Sequence, residues 1–584
     1  MADFISRADL DFLLYDWLRV TDLTERERFA DHSRETFDAV LDLSHDMAAK
    51  LYAPHNKKSD QQEPQIGPDG AVILLDEITA AVRAFGEAGL NAGSFDADLG
   101  GMQLPHTLAR ASMVNFQAAN AATSSYSFLT VGNANLLAKY GTAEQIDTWV
   151  RPMLEGRYSG TMCLSEPQAG SSLADITTRA VRDDDGTYRV TGTKMWISAG
   201  DHEICENIVH LVLAKIPGGG PGVKGISLVI VPKVLENGER NDVALVGLNH
   251  KMGNRGTTNT LLNFGEKSSG AVGYLVGEEH RGLSYMFNMM NEARIGVGFL
   301  ATALGYAGYL QSVEYAKLRV QGGVPIIKHA DVTRMLLAQK SYVEGALALG
   351  LYASRLLDEE TTAPTAAARA RAHTLLEVLT PIVKSWPSQW CLEANSLAIQ
   401  VHGGYGYTRE FDVEQFYRDN RLNPIHEGTH GIHGLDLLGR KMIMDSGAGF
   451  AALAEAIGET VQRARTALPP EPCLPPELVE GYADQLATAI TRLGQVTESV
   501  WATGDPALAL ANATAYLEAA GHIVVAWMWL EQVLAVGNLE GDFYDGKRAA
   551  AQYFFRYELP KTGPQLDLVD SLDRTTLDAN PAWF

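Results

Sequence analysis

Residues 426–441 read HEGTHGIHGLDLLGRK, and this stretch opens with a pattern that has two interpretations. His426, Glu427 and His430 fit the H-E-x-x-H signature, in which two histidines on one helix face bind zinc and the glutamate acts as the base. The signature needs a helix, but Gly428 lies inside it and Pro424 just before it. No metal is therefore expected. A zinc peptidase remains the remote alternative, with Asp436, Glu455 or Glu459 as its third ligand.

A glycine-rich segment lies upstream, where residues 400–407 read QVHGGYGY. It follows a predicted helix, so Gly403 could serve simply as the C-cap of that helix. Gly404 and Gly406 exceed what a cap needs, and glycine allows a ligand to approach the backbone closely. The segment is therefore either a helix end or a ligand-binding turn.

Two further segments with chemical potential lie near the middle of the chain. Residues 162–172 (MCLSEPQAGSS) form a predicted turn whose backbone N–H groups and hydroxyls suit a phosphate or an electron-rich ring edge. Residues 194–200 (KMWISAG) end a predicted strand, where Trp196 and Ser198 could place an aromatic ring and a hydroxyl against a flat cofactor. The plain alternatives are a polar hairpin connection and a core tryptophan.

Hydrophobic periodicity divides the chain into four parts. We expect an N-terminal helical domain over 1–156, a middle antiparallel β-domain over 157–281, a helical bundle over 282–445 and a C-terminal helical extension over 446–584. The fold class is thus α+β, mainly α. The predicted helices are 9–18, 33–51, 74–88, 107–120, 142–154, 283–317, 329–357, 365–385, 387–401, 450–467, 478–501, 506–534 and 547–557. The predicted strands are 188–193, 208–215, 225–232, 243–248 and 259–264, and the five prolines within 468–476 predict an extended linker.

Composition excludes several classes of protein. The 584 residues are 46% hydrophobic, which excludes a disordered chain, and 71 acidic against 48 basic residues give a net charge of −23, which argues against nucleic acid as a partner. The four cysteines (Cys163, Cys205, Cys391 and Cys473) show no paired spacing, so we expect free thiols in a reducing compartment. The N-terminus carries early acidic residues unlike a signal peptide, and no window approaches 18 uninterrupted apolar residues. A cytoplasmic protein without a membrane span is expected.

Taken in order, the motifs resemble the acyl-CoA dehydrogenase family over about residues 35–445. The matching segments are CLSEPQAGS at 163, KMWISAG at 194, KMGNRGT at 251, LVGEEHRGL at 275, EARIGVG at 292, QVHGGYGYTRE at 400 and HEGTHGIHGLDLLGRK at 426. The extra N-terminal helix and the C-terminal extension resemble the large bacterial branch of the family. The resemblance implies FAD as cofactor and α,β-dehydrogenation of an acyl-CoA thioester to the trans-2-enoyl-CoA.

The resemblance assigns the catalytic base to Glu427. Some relatives carry the base just before the arginine of the EARIGVG segment, but here that position is Ala293, and the adjacent Glu292 is the fallback. The family stabilises the developing enolate with the backbone N–H of the base residue, an oxyanion-hole device. The residues matched to substrate binding are Ser171, Asn291, Arg294 and Gly428. His426 stands where the family usually has an aromatic residue.

The resemblance also assigns residues to FAD. Those matched to the flavin ring and nearby phosphates are Met162, Leu164, Ser165, Gly170, Ser171, Trp196, Ser198 and Thr429. Arg319, Gln400, Gly403 and Gly404 match residues that reach the FAD of a neighbouring subunit, so a homodimer is expected, with a tetramer as the alternative. Because FAD and acyl-CoA are polyanions and the chain is acidic, attraction must be local. Six basic residues lie near the motifs: Lys251, Arg255, Arg294, Arg319, Arg418 and Arg421.

Several functions remain open at this level. The main expectation is a dehydrogenase that passes electrons to an electron-transfer flavoprotein. The nearer alternatives are an acyl-CoA oxidase that uses oxygen and a methylmercaptopropionyl-CoA dehydrogenase. A DNA-associated branch of the superfamily uses a basic C-terminal domain, whereas residues 446–584 here are not rich in Lys or Arg.

Overall fold

The computed structural model describes residues 4–466 and 474–584, without the side chains of 288–290. Cys473 and most of the predicted proline-rich linker lie outside the described residues. The chain forms two compact units, one of residues 36–104 and 115–293, the other of residues 1–35, 105–114 and 294–584. Two units do not correspond one to one with the four predicted domains, whose bounds remain predictions.

The first unit contains an eight-stranded sheet and the helices that cover it. Its strands are Tyr158–Cys163, Arg179–Arg182, Tyr188–Ser198, Asn207–Lys215, Ile226–Pro232, Val243–Leu248, Asn259–Phe264 and Ala271–Leu275. The last strand pairs with both Ile226–Pro232 and Tyr188–Ser198, so part of the sheet closes on itself. The helices are Arg34–Met47, Asn56–Gln61, Asp76–Glu87, Ala121–Tyr140 and the segmented Ala143–Leu154, and His106–Ala119 begins in the second unit and ends in this one.

Two pairings with Asn207–Lys215 are parallel and differ from the predicted antiparallel arrangement; the shorter one joins Arg179 to Lys215. Tyr158–Cys163 runs parallel to Asn207–Lys215, and both strands are largely buried on both faces. A strand buried on both faces does not alternate polar and apolar residues, so periodicity does not reveal it. Two cores result. Trp149, Leu137 and Met153 pack against one face of the sheet, and Val190, Val212 and Phe264 fill the other.

The second unit is helical. Its helices are Arg7–Asp11, continued by Phe12–Trp17, then Gly282–Leu318 (which begins in the first unit), Ala330–Thr362, Ala366–His402, Val413–Asn420, His430–Asp436, Met444–Thr466, Pro476–Ala502, Pro506–Leu510, Ala513–Val536, Asp542–Tyr553 and Thr562–Asp570. A short hairpin pairs Val320–Gln321 with Val324–Pro325. One eight-stranded sheet among many helices confirms the predicted class of α+β, mainly α.

The prediction of two helices over 365–401 is wrong, because Ala366–His402 is one helix that contains Pro381 and Pro387. A proline inside a helix leaves the carbonyl four residues earlier without its donor. For Pro387 that carbonyl belongs to Val383, and Gly298 packs directly on it: a Cβ at Gly298 would lie 2.1 Å from the Val383 oxygen. A neighbouring backbone without a side chain therefore covers the freed carbonyl, and the helix continues.

Ala513–Val536 is long and apolar enough to cross a membrane by composition, but 89% of its apolar window is buried inside the protein. A Cβ added at Gly521 would lie 2.5 Å from Cδ1 of Trp386, so this helix packs closely on Ala366–His402. These properties are those of a core helix. The predicted C-terminal extension thus contributes a long buried helix to the core of its unit.

Candidate functional site

Glu427 lies on a strained turn rather than on a helix. Residues 421–428 form turns and bends, and the following helix begins at His430. Glu427 has φ of +53° and Gly428 has φ of +95°, so two consecutive residues are left-handed. A non-glycine residue in this region costs roughly 1–2 kcal/mol. Because the HEGTH residues do not share one helix, the geometry of a zinc peptidase is not formed, and the described residues contain no group of three metal-ligating side chains.

The carbonyl groups of this turn are held by side chains. His433 Nε2 lies 3.1 Å from the Glu427 carbonyl oxygen, and Lys384 Nζ donates to the carbonyls of Asn423 at 2.7 Å and Gly428 at 2.6 Å. The backbone N–H groups of Glu427 and Gly428, in contrast, donate to no acceptor within the described parts of the chain. Unpartnered donors beside a carboxylate are what an oxyanion hole requires.

The Glu427 carboxylate is poorly solvated and flanked by two cations. Burial raises the pKa of Glu427 above its usual value, although Arg294 and then Lys384 oppose that rise by Coulomb attraction. Burial also lowers the pKa of Lys384 to about 7, despite the attraction of Glu427. No described side chain donates a hydrogen bond to the Glu427 carboxylate. A carboxylate with a raised pKa and no fixed donor is suited to accept a proton near neutral pH.

His426 is held as a neutral ring by a chain of buried amides. Asn395 donates to the Leu304 carbonyl and accepts from Asn420, and Asn420 accepts from Asn423. Because the amide N–H of Asn423 is used as a donor, its Oδ1 can only accept. This oxygen lies 2.9 Å from His426 Nε2, so that nitrogen carries the proton. Burial and then Lys384 lower the pKa of His426 to about 3, which keeps the ring uncharged. At the position where the family usually has an aromatic residue, His426 thus supplies a polar ring without a charge.

The other residues predicted to contact the substrate or to act as the base, Arg294, Asn291 and Glu292, differ in their surroundings. Arg294 is buried with Nη1 3.3 Å from Asp436 Oδ2, and no described group partners its Nε. Asn291 and Glu292 are half-buried on the helix that begins at Gly282. Glu292 accepts a hydrogen bond from Asn135 at 2.9 Å, which fixes the fallback base in an ordinary polar contact.

In the first unit, a β-bulge presents Trp196 to the surface. The pairing with Asn259–Phe264 shifts by one residue between Lys194 and Ile197, and Trp196 at this point has φ of +67°. A bulge redirects the side chain of its extra residue. Trp196 is consequently 57% exposed, whereas core tryptophans such as Trp149 are 2% exposed. The Ser198 hydroxyl nearby accepts a hydrogen bond from Asn259 at 3.2 Å.

The adjacent turn is pinned by a buried ion pair. Glu166 accepts from Lys194 Nζ at 3.0 Å and from the Thr177 and Thr178 hydroxyls. Burial alone would raise the pKa of Glu166, but Lys194 and the threonine donors lower it to about 2. The Met195 N–H also donates to the Ser165 carbonyl at 3.0 Å. The residues predicted to bind the flavin are accessible around it: Met162, Leu164, Ser165 and Ser198 are half-buried, and Gly170, Ser171 and Trp196 are exposed.

In the second unit, the residues assigned to a neighbouring subunit's FAD form one exposed cluster. Arg319 Cζ lies 5.7 Å from the Tyr405 ring centroid, next to the Gly403–Gly404 turn, and Gln400 is exposed on the helix before it. A Cβ at Gly403 or Gly404 would meet nothing within 4 Å. Thr429 instead caps its helix, since its hydroxyl accepts from Ile432 N–H.

The basic residues differ in their availability. Arg255, Arg294 and Arg418 pair with carboxylates, and Lys251 donates to the Thr257 carbonyl. Arg319 and Arg421 have no carboxylate at ion-pair distance within residues 4–466 and 474–584. Each unit by itself offers groups that suit part of a flavin nucleotide: the exposed Trp196 indole suits a flat ring in the first unit, and Arg319 with the open Gly403–Gly404 turn suits a pyrophosphate in the second.

Sequence reasoning missed Lys384, Asn423 and the Glu166–Lys194 pair as supporting residues. Residues 378–386 read VLTPIVKSW, and a lysine as the one charged residue in such a stretch was a usable signal, because a charged residue is rarely buried without a partner. No local pattern identified its partners, which lie 39 and 44 residues further along the chain.

Comparison with known proteins agrees with this fold. Family models match in order: the acyl-CoA dehydrogenase N-terminal domain at 34–157, the middle domain at 161–266, the C-terminal domain at 280–443 and an acetyl-CoA dehydrogenase C-terminal-like domain at 453–580. These matches define an oxidoreductase of a flavoprotein class. The chain belongs to the acyl-CoA dehydrogenase family, which is FAD-dependent.

Individual relatives cover most of the chain. It is 35% identical to the 3-methylmercaptopropionyl-CoA dehydrogenase of Ruegeria pomeroyi over 88% of this chain and 89% of that one. It is 32% identical to the broad-specificity linear acyl-CoA dehydrogenase FadE5 of Mycobacterium tuberculosis over 99% and 98% of the two chains. In structure it is similar to a Bacillus anthracis acyl-CoA dehydrogenase solved with FAD, with a TM-score of 0.76, 20% identity and coverage of 98% and 95%.

Proposed function

We propose that this chain oxidises an acyl-CoA thioester to the trans-2-enoyl-CoA and that Glu427 removes the α-proton. The observation that carries the proposal is the Glu427 turn: a carboxylate whose pKa is raised by burial lies beside two backbone N–H groups without acceptors. Such donors would stabilise negative charge on the thioester oxygen as the proton leaves. FAD, which Trp196, Ser165 and Ser198 would hold, would supply the two-electron acceptor for the β-hydrogen that leaves as hydride.

Other residues would bind and orient. Arg294 places a positive charge beside Glu427 and keeps the ionised carboxylate accessible near neutral pH, since it opposes the rise in the pKa of that group. Gly428 permits the left-handed turn. In the first unit, we infer that Trp196 supports the flavin ring and that Ser165 and Ser198 bond its edge. Ser171 and Asn291 stay proposals for substrate contact.

The test is anaerobic reduction of the bound flavin. The FAD-loaded protein is mixed with straight acyl-CoAs from C4 to C18 and with branched and sulfur-containing ones, and flavin absorbance is followed. Rapid bleaching by at least one thioester is expected. A protein that binds no FAD, or that no thioester reduces, would contradict the proposal.

Methylmercaptopropionyl-CoA is the second substrate candidate. This candidate is supported by the similarity to the 3-methylmercaptopropionyl-CoA dehydrogenase of Ruegeria pomeroyi, which is 35% identical over 88% of this chain. The FadE5 relative, at 32% identity, is named for linear acyl-CoAs instead. The ratio of kcat/KM for methylmercaptopropionyl-CoA and butyryl-CoA separates the two, and a ratio above about 10 corresponds to 1.4 kcal/mol in favour of the sulfur compound.

For the electron acceptor we propose an electron-transfer flavoprotein. After anaerobic reduction, the enzyme is exposed separately to that flavoprotein and to oxygen, and the rates of flavin reoxidation are compared. Faster reoxidation by the flavoprotein is expected. Faster reoxidation by oxygen would instead define an acyl-CoA oxidase.

We also propose a cytoplasmic homodimer. The exposed cluster of Arg319, Gln400 and the two glycines supports two-chain sites, and the described cysteines Cys163, Cys205 and Cys391 are free thiols, which suits a reducing compartment. Sedimentation of the FAD-loaded protein should give a dimer. A stable monomer that retains FAD would contradict the shared-site arrangement, and cell fractionation tests the location.

A further inference from the structure

The Glu427 turn needs an external support that its own backbone does not supply. Glu427 and Gly428 are both left-handed, and their N–H groups make no bond within the described chain. The orientation of the turn therefore depends on what holds its carbonyl groups. Since C=O and N–H point in opposite directions across a trans peptide, His433 at the Glu427 carbonyl orients the Gly428 N–H. The two ends of the turn, at Asn423 and at Gly428, still need a support of their own.

Lys384 occupies the position from which such support is possible. Its side chain is fully buried, and Nζ donates to the carbonyls of Asn423 and Gly428, one before and one after Glu427. The lysine belongs to the helix Ala366–His402, a different element from the turn. Its two hydrogen bonds thus bracket Glu427 and tie the turn to a long packed helix.

We propose that Lys384 is a positioning residue for the reaction: by holding the Asn423 and Gly428 carbonyls it fixes the turn that presents the Glu427 carboxylate and backbone N–H groups. The inference rests on the proposed function, because it assigns a role to Glu427. Lys384 also places a charge near the carboxylate, so its loss has both a geometric and an electrostatic consequence.

The electrostatic consequence can be separated from a general loss of stability. The cations that act on Glu427 are Arg294, which is itself paired with Asp436, and Lys384, and the titratable rings beside the turn are His426 and His433. The two histidines have pKa values lowered to about 3 and about 2 by burial, so they stay neutral. The pKa of Lys384 itself is lowered to about 7, so Arg294 and the protonated fraction of Lys384 supply the positive charge.

Three variants divide the roles of the ammonium group. Lys384→Met removes charge and donors at similar length. Lys384→Gln removes the charge but keeps an N–H donor, and Lys384→Arg keeps charge and donors with a bulkier head. The matched control is Lys441→Met, because Lys441 is also buried in this unit but pairs with Glu377 and not with the turn.

Two rates are measured on the FAD-loaded variants across pH: flavin reduction by acyl-CoA, and exchange of the α-hydrogen of acyl-CoA with D₂O, which reports proton removal alone. For Lys384→Met we expect retained FAD, little change in acyl-CoA binding and a loss of about 100-fold in both rates, as for a displaced catalytic group. The acid limb of its pH profile should move to higher pH, because a cation that lowers the pKa of Glu427 is gone. Lys384→Gln should recover part of the rate at high pH.

The proposal is overturned if both rates and the pH profile of Lys384→Met or Lys384→Gln match those of Lys441→Met. If Lys384→Met does not fold, Lys384→Gln and Lys384→Arg decide in the same way. Wild-type protein measured in parallel separates the two ideas: absence of reduction in the wild type contradicts the proposed function, whereas a normal wild type with unaffected Lys384 variants contradicts only the positioning role.

Discussion

At the scale of single residues, the fold holds the Glu427 carboxylate in an environment that opposes its charge. Burial raises its pKa, and two cations only partly compensate. A group that must gain and lose a proton during catalysis benefits from this balance, because its pKa moves towards the working pH. The same balance should lower the stability of the folded protein.

Glu427→Gln should therefore stabilise the protein at alkaline pH. Because the folded pKa lies above the unfolded one, the folded state binds more protons between them, and stability falls as pH rises through that window. Removing the charge should raise Tm at pH 8 by about 2 °C, and the gain should shrink towards pH 5. Glu292→Gln is the control, and a lower Tm for Glu427→Gln at every pH would contradict this prediction.

Gly428 is required by geometry. A Cβ there would lie 2.7 Å from His433 Nε2, and the residue has φ of +95°. Gly428→Ala should displace His433 from the Glu427 carbonyl and reduce the rate of flavin reduction by about 100-fold. Gly458→Ala is the control, because a Cβ there meets nothing within 4 Å on a helix and should be neutral or stabilising by up to about 1 kcal/mol. Equal rates for the two variants would contradict the requirement.

At the scale of elements, the bulge in Tyr188–Ser198 separates one tryptophan from the core. Trp196→Ala should reduce FAD retained after dialysis and change apoprotein stability by less than about 0.5 kcal/mol, as at other exposed positions. Trp149→Ala should cost about 3–5 kcal/mol, because that ring is buried. The ratio of flavin to protein absorbance measures FAD retention, and urea unfolding measures the stability of both variants. Full FAD retention by Trp196→Ala would remove Trp196 from the flavin site.

Sequence patterns predicted most long elements, but they failed where tertiary contacts decide. The break predicted near Pro387 disappears because Gly298 covers the freed Val383 carbonyl. The helix Ala121–Tyr140 escaped notice because serines and threonines such as Thr123 and Ser124 are buried in it alongside apolar residues. Motifs pointed to Glu427 and Trp196 as candidates, and their roles stay predictions, whereas no motif pointed to Lys384, since its partners are distant in sequence.

At the scale of the whole molecule, a buried ionic cluster ties the C-terminal extension to the helical unit. Lys547 pairs with Asp9, near the start of the chain, and with Glu344 of the helix Ala330–Thr362 at 2.8 Å. Three segments far apart in sequence therefore share one cation. Burial raises the pKa of Asp9 against the attraction of Lys547, so loss of the lysine would leave that carboxyl in an apolar environment.

Lys547→Met should destabilise the protein by about 3–5 kcal/mol, because it leaves the buried Asp9 carboxyl without its paired cation, whereas Glu344 keeps Lys340. The control is Arg574→Met at an exposed pair with Asp578, which should change stability by less than about 0.5 kcal/mol. Urea unfolding followed by tryptophan fluorescence measures both. An unchanged midpoint for Lys547→Met would show that the extension is held by apolar packing alone.

The central claim, that Glu427 is the base, is tested most directly by anaerobic stopped-flow reduction of FAD-loaded Glu427→Gln beside wild type and Glu292→Gln. The account predicts that Glu427→Gln binds FAD and acyl-CoA but reduces its flavin at least about 1,000-fold more slowly, as expected for loss of a general base. Glu292→Gln should reduce at nearly the wild-type rate. Near-normal reduction in Glu427→Gln, or an equal loss in Glu292→Gln, would contradict the assignment.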